Sequence, residues 1–203
     1  TRLKDFMEAV ECYHATSMTA SPAMVSYILR VLGDKLIRYA NQFHYIEVGA
    51  DVMTDQDKDM VRRIFPGVHL YNAYGATEAG CSCFLDMKNP VDSRCIGKAT
   101  KHTRIFFVDD EWKEVNATKE NPGYITAQGP LVMNGYWEAE ELTKQVLEND
   151  KYYSHDLGYM DSDGFVFLIG RADDIINVSG IKVAPHDIEV AALSSDKLFE
   201  CAC

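Results

Sequence analysis

Phe43-His44-Tyr45-Ile46-Glu47-Val48-Gly49, the stretch from Thr54 to Ile64, and Val68-His69-Leu70-Tyr71-Asn72-Ala73-Tyr74-Gly75 decide the fold of this chain. Phe43 to Val48 is rich in aromatic and β-branched residues and stops at a glycine, which marks a strand. Thr54 opens a helix that turns Val61 inward, and Pro66-Gly67 punctuates the entry into a second strand, Val68 to Tyr74. Strand, helix and strand in that order form a crossover, which joins parallel strands. In open parallel sheets ligands bind beyond the carboxyl ends of the strands, where Gly49 and Gly75 stand.

Upstream, Leu3, Phe6, Met7 and Val10 recur at helical spacing. A second helix opens with Ser21 as N-cap and Pro22 in first position, carries Val25, Ile28, Leu29 and Leu32 on one face, and closes before Gly33. From about Pro90 the texture changes. Short strands (Arg104 to Val108, Gly123 to Ala127, Gly158 to Met160, Phe165 to Ile169) alternate with turns such as Asp109-Asp110 and Asp161-Ser162-Asp163-Gly164. A helix from Glu138 to Leu147 interrupts them. After Gly170-Arg171 a new unit begins with Ile175 to Val178, a turn at Gly180, and a helix opened by Pro185. The expected architecture is α/β: a βαβ parallel-sheet half-domain over residues 1–88, a β-rich, barrel-like subdomain over 89–171, and the start of a small α+β C-terminal domain over 172–203.

Composition narrows the function. The 203 residues are 47% hydrophobic and 25% charged, which excludes disorder. A chain this long buries roughly 70% of its unfolded surface. The longest apolar run, Phe165 to Ile169, is far short of the roughly 18 residues of a spanning helix. Lys4, Asp5, Glu8 and Glu11 interrupt the first fifteen residues, so no secretory segment is expected and the cytoplasm is the default location. A net charge of -11 repels nucleic-acid phosphates and anionic lipids. Cysteines 12, 81, 83, 95, 201 and 203 include two C-x-C pairs but no C-x-x-C, and no histidine lies at zinc-finger spacing; buried free thiols in a reducing compartment are expected. The chain begins in a helix without Met, and Leu198 to Cys203 reads as a strand cut in its middle, so a fragment or excised domain is expected.

The loop Tyr71-Asn72-Ala73-Tyr74-Gly75-Ala76-Thr77-Glu78-Ala79-Gly80 suits a nucleotide. Gly75 permits close backbone approach, the Thr77 hydroxyl can donate to a phosphate oxygen, and Tyr74 offers a flat face to a base. Glu78 beside phosphate requires an intervening cation, for which Mg²⁺ is the choice. Cys81-Ser82 stands where a Walker loop needs Lys-Ser/Thr, so this is no P-loop. The structural alternative is a β-to-α turn with a capping threonine. Ser154-His155-Asp156 invites a triad reading, but neighbours on a strand face opposite ways and cannot form the relay. Asp156 reads instead as an acceptor for ribose hydroxyls, or as a turn-stabilising aspartate. Asp161-Ser162-Asp163-Gly164 lacks the remaining calcium-loop acids and reads as a hairpin turn. The Arg171 guanidinium suits phosphate or ribose oxygens, or a surface ion pair.

Taken in order, these segments resemble the adenylate-forming superfamily of acyl-CoA synthetases, peptide-synthetase adenylation domains and firefly-type luciferases. Tyr74-Gly75-Ala76-Thr77-Glu78 is similar to its YGxTE motif. Gly129-Pro130-Leu131-Val132-Met133-Asn134-Gly135-Tyr136-Trp137, followed by Glu141 and Thr143, is similar to its G-x-x-x-x-x-GY motif. Ser154-His155-Asp156-Leu157-Gly158 resembles the TGDLG stretch, with His155 in place of the usual glycine, and Gly170 to Gly180 resembles the hinge.

The resemblance implies a parent enzyme that activates a carboxylic acid with ATP to acyl-AMP and passes the acyl group to CoA. A place in fatty-acid metabolism would follow. An adenylation domain loading a carrier-protein thiol and a noncatalytic nucleotide-binding piece are the alternatives. It further implies that Gly49, Ala50 and Asp51, with Asn72, Ala73, Tyr74, Gly75, Ala76 and Thr77, line the adenosine and acyl site. Thr77 and Glu78 would also be catalytic, and Glu78 would hold Mg²⁺. Asp156 would hold the ribose, Arg171 the ribose-phosphate region, and Asp173 would be the hinge. Lys182 would face the nucleotide and Ser179 the CoA. The run Asp174 to Lys182 resembles acyl-CoA synthetases more than peptide-synthetase domains, favouring CoA as acceptor. The family's phosphate loop with its lysine, and its late C-terminal lysine, have no counterpart here, so the chain by itself is expected to be inactive.

Overall fold

The computed structural model describes residues 3–88, 92–178, 181–193, 195, 198, 201 and 203, without the side chains of Asn177, Ile181, Lys182, His186, Val190 and Leu193. The chain divides into two compact units, Thr1–Ala76 with Cys81–Thr100, and Thr77–Gly80 with Lys101–Cys203.

The first unit contains α1 (Leu3–Cys12), β1 (Ser17–Ala20), α2 (Pro22–Leu32), β2 (Tyr45–Gly49), α3 (Asp55–Ile64), β3 (His69–Ala76), β4 (Gly80–Asp86) and β5 (Cys95–Ala99). Its strands run in the order β1-β2-β3-β4-β5. β1, β2 and β3 are parallel, with Ile46 opposite Leu70 and Gly49 opposite Ala73, so the expected crossover forms. Helix punctuation works as the residues dictate. The Ser21 and Thr54 hydroxyls accept hydrogen bonds from Met24 and Asp57 backbone N–H groups, and Pro22 takes the first helical position. Val25, Ile46, Val48, Val61 and Ile64 are fully buried between helices and sheet, at roughly 1.5–3 kcal/mol per large apolar side chain.

Sequence and structure differ at instructive points. β3 runs on through Ala76, past the expected end at Tyr74, and the following turn at residues 77–79 leads into strand β4. The β-to-α alternative for that loop is therefore wrong. β1, β4 and β5 carry no clear alternation and were not expected.

The second unit holds β6 (Arg104–Val108), β7 (Glu114–Val115), β8 (Gly123–Gln128), α4 (Glu140–Val146), β9 (Leu147–Glu148), β10 (Lys151–Met160), β11 (Val166–Arg171), β12 (Ile176–Val178), β13 (Ile181–Val183) and α5 (Pro185–Leu193). Its main sheet is ordered β11-β10-β8-β6-β7, with β9 on β10, and β12 pairs with β13 separately. The expected strand Gly158 to Met160 is the end of ten-residue β10, and the expected helix Glu138 to Leu147 is shorter at both ends. Asp161 makes the expected hairpin turn, its Oδ1 accepting from the Asp163 and Phe165 N–H groups. Leu198, Cys201 and Cys203 lie in no strand; the rest of that ending is outside the described residues. Cys83 and Cys95 are buried as expected, whereas Cys12 and Cys203 are exposed. Among the described residues no helix is long and apolar enough to cross a membrane.

Candidate functional site

In the first unit, Gly49 and Ala73 pair at the carboxyl ends of the parallel strands β2 and β3. A Cβ on Gly49 would lie 2.9 Å from the Ala73 carbonyl oxygen, so glycine is what lets these two strand ends meet. Ala50 follows with φ +72°, and Asp51 Oδ1 accepts from the Val52 N–H at 2.7 Å. Asn72 is registered opposite Val48, and Tyr74, Gly75 and Ala76 complete β3. Gly49 to Asp51 and Asn72 to Ala76 thus stand at one strand-end edge.

The second unit assembles the charged residues. Thr77 is exposed and Glu78 half-buried in the turn after β3. The Tyr136 hydroxyl donates to Glu78 Oε1 at 2.5 Å, and the Met133 N–H donates to the Glu78 carbonyl at 2.8 Å. On β10, Tyr153 is opposite Thr126 of β8 and Leu157 opposite Tyr124, so Ser154, His155 and Asp156 bulge against the single residue Ile125. Ser154 closes that bulge: its buried hydroxyl donates to the Ile125 carbonyl at 2.7 Å and accepts from the Asp156 N–H at 3.1 Å. Asp156 is paired across the ladder with Arg171, whose Nη1 is 3.8 Å from Asp156 Oδ1.

Tyr152 precedes the bulge on β10. Burial, then the charges of Glu78, Tyr136 and Asp156, push its phenol up to about 12, against the opposing Arg171 guanidinium. One tyrosine thus feels both carboxylates that the sequence singles out. The Tyr136 hydroxyl is likewise raised, first by its hydrogen bond to Glu78, then by burial and by that carboxylate's charge. Asp173 lies in the short 3-10 turn Ala172–Asp174, with Oδ2 3.3 Å from His155 Nδ1 and 3.8 Å from Arg171 Nη2. A triad is absent because the Ser154 hydroxyl serves the backbone while His155 faces Asp173. His155 is not among the described residues with positive φ, so the position accepts a side chain without strain. Lys182 is placed by its backbone in β13, opposite Asn177; Ser179 lies outside the described residues.

A family model described as AMP-binding enzyme matches residues 1–137. The chain belongs to the AMP-binding enzyme family. It is 27% identical over 203 residues to a 4-coumarate-CoA ligase of Narcissus pseudonarcissus, covering 97% of this chain and 37% of that protein. It is 36% identical over 140 residues to a long-chain-fatty-acid–CoA ligase of Yersinia pestis, covering 67% of this chain and 24% of that protein. Its fold matches O-succinylbenzoate coenzyme A synthetase of Bacillus subtilis in complex with AMP. The TM-score is 0.83 at 21% identity, over 100% of this chain and 40% of that one. The chain spans about a third of the length of the curated relatives it matches.

Among the described residues no three His, Cys, Asp or Glu side chains converge into a metal cage. Glu78 is a half-buried carboxylate, a hard oxygen donor of the kind Mg²⁺ takes one or two at a time alongside water and phosphate oxygens, so it could hold the ion with substrate. The residues fit the ion in that shared mode. Sequence reasoning assigned nothing to Tyr152, Tyr136 or Ser154. Tyr136 and Ser154 stand inside quoted motifs, and their contacts span 58 and 29 positions, which no local pattern displays.

Proposed function

We propose that this chain is the nucleotide-gripping portion of an ATP-dependent acid–thiol ligase, which forms acyl-AMP from a carboxylic acid and transfers the acyl group to CoA. The pairing of Asp156 with Arg171 at the bulge, beside a Glu78 carboxylate held by Tyr136 in the same unit, carries this reading, because it provides a carboxylate for a cation, an acceptor for a diol and a cation for phosphate. The CoA-ligase relatives support the reaction class.

A carboxylate attacking a triphosphate is anion against anion, so the site must align them and supply positive charge. Mg²⁺, when bound, neutralises charge on the phosphates it bridges. Glu78 would hold that ion, and Thr77 would donate its hydroxyl to a phosphate oxygen. Asp156 would accept from both ribose hydroxyls while the bulge fixes its direction, and Arg171 would face the ribose-phosphate link. Gly49 to Asp51 and Asn72 to Ala76 would line the adenosine and acyl side. Asp173 would be the hinge of a mobile domain beginning at 172, which brings Ser179 to CoA and Lys182 to the nucleotide between half-reactions. We place the reaction in the cytoplasm and the domain divisions near 88 and 171.

Calorimetry of AMP with the 203-residue chain tests the nucleotide reading, which requires saturable binding; no binding favours a noncatalytic piece. Asp156→Ala should weaken that binding by about 1 to 3 kcal/mol, because charge-assisted bonds to the ribose are lost. Glu78→Gln in the whole protein should slow adenylation at fixed Mg²⁺ while AMP binding persists. Pyrophosphate release by the whole protein over short, long, aromatic and dicarboxylic acids identifies the substrate. Supplying CoA or a phosphopantetheinyl carrier distinguishes the acceptor.

A further inference from the structure

The motif from Gly129 to Thr143 has no part in the grip on nucleotide, yet its contacts lead to Glu78. Gly135 adopts φ +139°, and a Cβ there would lie 3.0 Å from Thr143 Cγ2 and 3.2 Å from its Oγ1, so only glycine lets the chain cross that threonine. Thr143 Oγ1 accepts from the Tyr136 N–H at 2.9 Å and donates to the Ala139 carbonyl at 2.9 Å. The Thr143 N–H also donates to Ala139, at 3.0 Å, so the first turn of α4 fixes the Tyr136 backbone. Tyr136 in turn fixes the Glu78 carboxylate through its hydroxyl, while Met133 holds the Glu78 carbonyl. One short segment therefore grips Glu78 at both its main chain and its side chain, all within the second unit.

We propose that Tyr136, locked by Thr143 across Gly135, is a positioning residue that sets the direction in which the Glu78 carboxylate meets a divalent cation carried by a polyphosphate. The proposal rests on the assignment of Glu78 to the cation. A half-buried glutamate on a turn still has several rotamers open to it, and a hydroxyl donating to one oxygen selects among them. Hydrogen-bond partners behind a ligating carboxylate orient it in this way.

The test uses the 203-residue chain with ¹³C-labelled glutamate, the Glu78 carboxyl resonance being assigned through Glu78→Gln. Tyr136→Phe and Thr143→Val should displace that resonance in the same direction, and Thr143→Ser, which keeps the hydroxyl, should return it. Mn²⁺ added with ATP should broaden the resonance, and both disruptive variants should raise the half-broadening concentration on the order of tenfold. Thr143→Val and Thr143→Ser keep the test decisive if Tyr136→Phe does not fold. A resonance indifferent to Tyr136 and Thr143 overturns the proposal. If the resonance follows both variants but Mn²⁺ with ATP never broadens the parent chain, the hydrogen-bonded path stands. The cation assignment beneath it then falls, and the proposal with it.

Discussion

Ser154 shows how one hydroxyl can set the direction of a neighbouring acid, Asp156, to which we assign the ribose. It donates to Ile125 and accepts from the Asp156 N–H, so it closes a three-residue bulge that no regular strand would form. Ser154→Ala should cost about 1–2 kcal/mol in urea unfolding, because the buried Ile125 carbonyl loses its donor, and should weaken AMP binding in parallel. A stability loss with unchanged AMP affinity would contradict the proposed role of the bulge in holding ribose. Cys83 behaves differently. Burial, then its neighbours Cys81 and Cys95, push its thiol up to about 12, so at pH 8 it should resist alkylation while exposed Cys12 and Cys203 react. Glu78 and Asp156 were singled out in the sequence by residue type and spacing. Tyr152 was not, since its importance lies in which charges surround it.

At the scale of the element, helices were legible wherever side chains punctuate the backbone. Thr54 caps α3, and Asp57 beside it is nearly fully buried, accepting from the Ser26 hydroxyl at 3.1 Å and the Thr54 hydroxyl at 2.9 Å, with Arg30 3.6 Å away. Asp57 therefore ties α3 to α2 as well as to its own cap. Thr54→Ala should cost about 1 kcal/mol, and Asp57→Ala about 3 kcal/mol, since it strips partners from a buried network. Equal losses in chemical denaturation would show that the tie between the helices is idle. The strands were legible where hydrophobic runs are bounded by glycine or an Asp-Asp turn, as β2, β11 and β6 are. β1, Ser17–Ala20, is too short to show a period, β4 mixes Cys and Ser with its apolar residues, and Gly97 interrupts β5. Those three depend on neighbouring strands for their definition, so local pattern could not reveal them.

Over the whole molecule, the net charge of -11 opposes nucleic acid and anionic lipid surfaces more firmly than it selects a substrate. Tyr39, Tyr124, Tyr136, Tyr152 and Tyr153 all have raised phenols, by burial or by hydrogen bonds to carboxylates, and Cys83 a raised thiol. Because the folded chain holds these protons more tightly than the unfolded one, their contribution is complete below pH 9. It is lost as pH rises through the raised values toward 12. Urea midpoints should therefore fall across that range, and Tyr152→Phe should shrink the fall. An unchanged slope would show that Tyr152 is not held neutral by its neighbours. The most direct test of the central claim is a nuclear magnetic resonance titration of the 203-residue chain with AMP, following backbone and side-chain signals of Thr77, Glu78, Asp156 and Arg171. These signals should shift together along one saturating curve, and signals that stay put, or move with unrelated affinities, would contradict a shared nucleotide site.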